Sequence, residues 1–330
     1  MASWSELLAE FNVEASKTPN TNWLDNKLQE HLDAISKHRG DATVIFYASA
    51  FLQKAVDNVS ITREDINGFM NSLSGTPTNK GLVLILHTPG GDPNAVESIV
   101  EYLHSKFDSI EVIVPYLAMS GGAMISLASD LLILGKQSQL GPIDPQFFIG
   151  NQVHSARAIQ EGFNKAREDI ENDIKLAHLW APILQNMGPS LVLEAAKALA
   201  YSKELVVNWL DNRMLKDIED EEERWEKANA IAAYFNAEET SDHGQIHVHG
   251  QRIGAEKLEE IGLKLESLEN DQDLQNDVLT AYHLMTLIFE HTPSIKFIAS
   301  DTGKMWAKQQ QQILIPTPQP IPQQPPPNNP

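Results

Sequence analysis

LVLILHTPGGDPNAVESIVEYLHSKFDSIEVIVPYLAMSGGAMISLASDLLIL, residues 82–134, delivers two apolar runs into glycine turns. Leu82 to Leu86 is an unbroken run of branched apolar residues, as a strand buried on both faces requires. Pro93 suits a first helical position, where its missing N–H would go unbonded anyway, and Val96, Ile99, Val100 and Leu103 recur on one helical face. A strand at Val112 to Val114, a turn containing Ser120, a helix to Ser129 and a strand at Leu131 to Leu134 follow. Strands alternating with helices predict an α/β fold, paired in parallel and covered on both faces. Glu111, Pro115, Ser120, Gly121, Gly122, Ser126 and Asp130 interrupt the apolar stretch from 110 to 134, which excludes a membrane span there.

Upstream, ATVIFYASAF at 42–51 is another buried strand. Thr62, three residues before Asp65, opens a helix through Ile66, Phe69 and Leu73. Residues 1–40 read as peripheral helices, with Leu28, Leu32 and Ile35 at helical spacing. Downstream, the pattern is helical throughout 152–235, and the acidic run from Asp217 to Glu223 reads as a solvated helix face. Glu238 to Gly250 is a polar loop, and Glu256–Leu263 and Leu274–Glu290 are further helices. From Gln309 the chain reads QQQQILIPTPQPIPQQPPPNNP and holds eight of the eighteen prolines. Residues 307–330 are therefore expected to stay disordered, as a linker or a docking segment for a proline-reading partner, which leaves 41–306 as the folded domain.

The 330 residues carry 25 Lys and Arg against 45 Asp and Glu, so a net charge of −20 repels phosphate backbones and argues against nucleic acid as a partner. Without cysteine, no disulfide, thiolate metal site or thiol nucleophile is possible. MASWSELLAEF has acids where a signal peptide needs basic residues, so a cytoplasmic protein without a membrane span is expected.

Three turns carry the candidate chemistry. His87-Thr88-Pro89-Gly90-Gly91-Asp92 joins a strand to a helix. Its paired glycines make a tight turn, and they also leave N–H groups bare for a carbonyl oxygen that gains charge, or for a phosphate. Ala118-Met119-Ser120-Gly121-Gly122-Ala123 is a second such turn. Ser120 there is either a helix cap or a nucleophile, since the turn offers a hydroxyl, small neighbours and an adjacent N–H at once. The spacing differs from G-x-S-x-G, so no α/β-hydrolase elbow is indicated. In Leu140-Gly141-Pro142-Ile143-Asp144-Pro145-Gln146, two prolines hold Asp144 in rigid non-helical backbone, which suits a turn or a side chain aimed in one direction.

HTPGGDPNAVESI, AMSGGAMISLASD and LGPIDPQ, in this order and at these separations, resemble the serine dehydrogenase proteinase family, distant relatives of the Clp protease proteolytic subunit and of signal peptide peptidase A. The resemblance runs from about 43 to 306 and takes in HGQRIGAEKLEEIGL and LQNDVLTAYHLMTLIFEHT. It implies a Clp/crotonase-like fold of repeated β-β-α units with peripheral helices. It also implies a serine peptidase without cofactor, assembled as a homo-oligomer, that acts on a peptide or protein through a Ser120 acyl-enzyme. In its terms Gly90, with Gly91 beside it, and Gly121 supply the oxyanion hole, Asp144 is the triad acid, and His249 is the histidine that best fits the family's HG-x-x-I stretch.

His243 and His247 lie within six residues of His249, and Lys165, 45 residues beyond Ser120, lies near the spacing at which signal peptide peptidases place a lysine base, so the base stays open among the four. The histidines at 243, 247 and 249 lack a carboxylate or cysteine at diagnostic spacing, so no metal site is expected. Two other classes share the fold. A crotonase-like acyl-CoA enzyme would need a basic greeting for the CoA phosphates near the glycine loops, which the chain lacks, and a silent scaffold would have no use for the Ser, Asp and His candidates together.

Overall fold

The computed structural model describes residues 3–18, 21–150, 152–238, 241, 243, 244, 246, 248 and 250–310. The two strongest apolar runs form its centre. β1 (Thr43–Ser49) and β2 (Leu82–His87) are buried along their whole length and pair in parallel, with Val44 opposite Val83 and Phe46 opposite Ile85. β3 (Ile110–Val114) adds to β2 in parallel, then the chain steps aside into β4 (Leu117–Ala118). β5 (Leu131–Leu134) returns to β3, and β6 (Gln139–Leu140) steps aside again to lie parallel to β4. Main-sheet strand, side strand and helix thus repeat, the strand-strand-helix pattern expected of the fold. β7 (Gln146–Ile149) and β8 (Gln152–Ser155) form a hairpin, β9 (Ile253–Gly254) closes the side sheet, and β10 (Leu265–Ser267) pairs with β5. β11 (Ser294–Ser300) and β12 (Met305–Gln309) complete a seven-stranded sheet of order β10-β5-β3-β2-β1-β11-β12.

Helices cover both faces. α1 (Trp4–Lys17) and α2 (Trp23–His38) lie on one side, and α3 (Asp65–Ser72), α4 (Pro93–His104) and α5 (Gly121–Leu127) on the other. α6 (Ala156–Asn172) and α7 (Ala177–Met187) leave the sheet, and α8 (Pro189–Asn212) and α9 (Glu221–Phe235) return to it. α10 (Ala255–Glu260) and α11 (Gln272–His291) follow. Strand side chains alternate between the two layers. Val44, Phe46, Val83 and Ile85 pack with Leu32 of α2 and Leu284 of α11, whereas Ile45, Tyr47, Leu84 and Leu86 pack with Phe69, Val96, Leu127 and Leu210.

Three stretches depart from expectation. Residues 307–309, expected in the disordered tail, are the end of β12 and pair with β11, and the tail from 311 lies outside the described residues. The segment from 152 begins as a strand, because Phe147 and Ile149 alternate inward onto a small separate cluster of Ala156, Ile159, Ala195 and Leu199, and Gly150 turns the chain at φ +62°. The edge of the sheet is antiparallel, since β11 pairs with β1 in that sense and β12 folds back on β11. The stretch from 110 to 134 is strand, side strand, helix and strand, and no helix among the described residues is long and apolar enough to cross a membrane.

Candidate active site

The glycine turns meet because the strands that feed them continue side by side past the main sheet. Thr88 bridges Ala118 in parallel, its N–H donating to the Leu117 carbonyl at 3.1 Å and its carbonyl accepting from Met119 N–H at 3.0 Å. On the far side, Ile61 N–H donates to the Gly90 carbonyl at 2.7 Å and the Ile61 carbonyl accepts from Asp92 N–H at 3.0 Å. The loop is thus pinned between two strand segments. Asp92 then caps α4 by accepting from Asn94 N–H at 3.0 Å.

Glycine is required here by space as well as by conformation. Gly90 has φ +91°, and a Cβ on it would lie 2.7 Å from both Ser120 Cβ and the Gly121 nitrogen. A Cβ on Gly91 would lie 2.2 Å from the Ile61 carbonyl oxygen, and one on Gly121 would lie 3.1 Å from the Gly91 nitrogen. Gly91→Ala therefore has to push the loop off Ile61. Were the Gly91 N–H to hold an oxyanion, as the resemblance implies, this variant would lower turnover by about 10²–10³-fold, the scale of losing one such donor, in steady-state assays at a temperature where it remains folded.

Ser120 occupies φ 49°, ψ −116°, a backbone region that side chains rarely adopt. It stands at the N-cap of α5, yet its hydroxyl makes no capping hydrogen bond, so the cap interpretation of this serine is not realised. The sharp turn is held by Gly122 N–H on the Met119 carbonyl at 2.8 Å and Met124 N–H on the Ser120 carbonyl at 3.1 Å. Gly121 is the first helical residue, where N–H groups lack an intrahelical partner. Gly90 N–H donates to Thr88 Oγ1 at 3.2 Å, whereas neither Gly91 nor Gly121 N–H has a backbone partner among the described residues. Two bare donors thus lie together beside the serine.

Ser120 and Gly91 open on a cleft of about 360 Å³ lined also by Ser60, Pro89, Gly90, Asp92, Pro93, Met124, Ile143, Pro145, Gln146 and Phe148, with Gly121 buried directly behind Ser120. Its wall is more apolar than the motifs alone suggest, and Met124 and Phe148 carried no sequence signal of a site. Asp144 is buried between the lining residues Ile143 and Pro145. Its segment is fixed by Gly141 N–H to the Ala118 carbonyl at 3.3 Å, Ile143 N–H to the Phe235 carbonyl at 2.8 Å and Ala156 N–H to the Pro145 carbonyl at 2.7 Å. Rigid placement by the two prolines, rather than a solvent-exposed turn, is what the fold makes of this motif.

The base candidates separate. His247 and His249 lie outside the described residues. His243 is half-buried, its backbone N–H donates to Ser241 Oγ at 3.3 Å, and its ring sits edge-on to Tyr234. Lys165 does not line the cleft: it is exposed on α6 and bonded to Asp169 at 2.7 Å, and that carboxylate raises the pKa of its ammonium. A lysine base needs the opposite shift. Among the described residues no three His, Asp or Glu side chains form a metal site.

The family model described as ClpP-like SDH-type serine proteinase matches residues 50–312. Two uncharacterised proteins of Methanocaldococcus jannaschii are similar to parts of the chain. One is 37% identical over 113 residues, 34% of this chain and 37% of that protein; the other is 42% identical over 107 residues, 32% of this chain and 37% of that protein. The chain spans little more than a third of the length of either relative. Among solved structures, a membrane-bound stomatin-specific protease, 1510-N, aligns with 66% of this chain and 79% of that one, at 14% identity and a TM-score of 0.34.

Proposed function

Because the chain belongs to the family of ClpP-like SDH-type serine proteinases, we propose that it cleaves peptide bonds through an acyl-enzyme on Ser120. One observation carries this reading: a strained, uncapped serine opens on a cleft beside two unengaged backbone donors. Ser120 Oγ attacks the substrate carbonyl carbon, and the oxygen that gains negative charge is held by the N–H groups of Gly91 and Gly121. Gly90, whose own N–H is shared with Thr88, contributes the close approach of the two turns. A histidine of the 243–249 segment, His249 by its place in the motif, takes the hydroxyl proton and returns it to the departing amine. Asp144 orients that imidazole. Water then hydrolyses the ester and frees Ser120.

Treatment of the intact chain with a fluorophosphonate probe tests this directly. The expected result is one adduct, mapped by mass spectrometry to the peptide containing Ser120. No adduct, or an adduct only on another serine, overturns the assignment and returns the fold to its non-nucleophilic uses.

A further inference from the structure

Lys296 of β11 and Asp65 of α3 form an ion pair at 2.8 Å in which both side chains are wholly excluded from solvent. Desolvating two charges is costly, and an apolar pair of similar volume commonly holds a core equally well. Stability alone therefore gives the pair no purpose. The remaining bonds of the cluster do. Lys296 Nζ also donates to the Ser60 carbonyl at 2.6 Å, and Asp65 Oδ2 accepts from Thr62 N–H at 2.9 Å and from the Tyr47 hydroxyl at 2.9 Å. Ser60 and Thr62 are the neighbours of Ile61, and Ile61 is the residue whose N–H and carbonyl clamp the glycine loop from Gly90 to Asp92.

We infer that Lys296, Asp65 and Tyr47 are positioning residues that, by fixing the peptide groups on either side of Ile61, hold the Gly91 N–H at the place where the oxyanion forms. The inference rests on the proposed role of Gly91 in Ser120 chemistry. Its physical basis is rigidity: the clamp is a short irregular segment outside the main sheet, so without the charges its two flanking peptide groups lose their anchors. A shift of about 1 Å in a catalytic donor costs on the order of 10²-fold in rate.

The test uses saturation kinetics of fluorophosphonate labelling on the full chain, which separates the maximal rate of acylation from probe affinity. Three variants are compared: Tyr47→Phe, Lys296→Met, and the double variant Lys296→Met with Asp65→Leu, which removes both charges and leaves none buried unpaired. Leu284→Ala, in the opposite core layer, serves as a control for destabilisation alone. The double variant is expected to melt close to wild type and to label at least tenfold more slowly at saturation, with half-saturation within about twofold of wild type, the loss falling on the bond-forming step. Leu284→Ala is expected to melt lower and label normally below its melting temperature. A folded double variant that labels at the wild-type rate overturns the inference. Should the charge variants fail to fold, Tyr47→Phe decides: a severalfold slower maximal rate supports positioning and an unchanged rate refutes it. A wild-type chain that does not label overturns both this inference and the proposed function, whereas normal wild-type labelling with unaffected variants overturns the inference alone.

Discussion

Ser120→Gly is expected to abolish turnover and, in the same protein, to raise the melting temperature. Loss of the hydroxyl removes the nucleophile, and relief of one strained backbone conformation raises the stability. At φ 49°, ψ −116° a residue with a side chain carries strain of about 1–3 kcal/mol, and glycine carries almost none. Glycine also loosens the unfolded chain by about 0.5–1 kcal/mol, so a net gain of about 1 kcal/mol remains, or about 2 °C for a chain of this size. Ser120→Ala removes the hydroxyl and keeps the strain, so its melting temperature should match wild type while turnover falls by about 10⁶-fold, as when a serine protease loses its nucleophile. Calorimetry and a peptide-hydrolysis assay on both variants provide the check. Retained turnover in Ser120→Ala removes the serine from the chemistry, and a Ser120→Gly variant that melts below wild type shows that the turn is not strained.

The parts of this site that were legible in the sequence are those governed by local rules. Glycine pairs, a proline at a helix start and an aspartate between two prolines each restrict a few residues of backbone, so the turns at 88–92, 118–122 and 141–145 could be placed without knowing what they touch. The continuous apolar runs located β1, β2, β3 and β5 in the same way. Non-local arrangements left no such trace. The lysine in the middle of β11 makes that strand look half-exposed, and only a partner 231 residues away, Asp65, accounts for its burial. The β7–β8 hairpin has four-residue strands whose inward residues form a small satellite cluster, too brief to read as period two. Lys165 satisfied a spacing rule, yet on α6 it is exposed, paired with Asp169 and not part of the cleft lining. Sequence distance fixes neither the direction in which a helix departs nor which of several histidines faces a serine.

Acid sensitivity between pH 6.5 and pH 3 is the other large effect expected of this protein, and its source lies on the far face of the sheet from Ser120. His87 ends β2 with its side chain fully buried, its ring 4.8 Å from Phe51 and 5.3 Å from Tyr282, and neither ring nitrogen meets a hydrogen-bond partner of good geometry among the described residues. Burial pushes its pKa down to about 3, offset only in small part by the Leu117 backbone. In the unfolded chain the same imidazole titrates near 6.5. As pH falls below that value the unfolded state takes up a proton that the folded state refuses, so stability declines steadily until pH reaches about 3 and no further loss from this group follows. At pH 5 the loss is about 2 kcal/mol. Tyr282 beside it is raised to about 12 and stays neutral throughout, and His104, lowered chiefly by burial, adds a loss of the same sign from a different part of the core. His87→Leu removes the titrating ring together with its two unpaired buried nitrogens. That variant is expected to melt higher than wild type at pH 7 and to lose about 2 kcal/mol less between pH 7 and pH 5 in denaturant titrations. Equal slopes of stability against pH in the two proteins would mean that His87 stays protonated or meets water in the folded state, and the acid sensitivity would then have to be sought in the carboxylates.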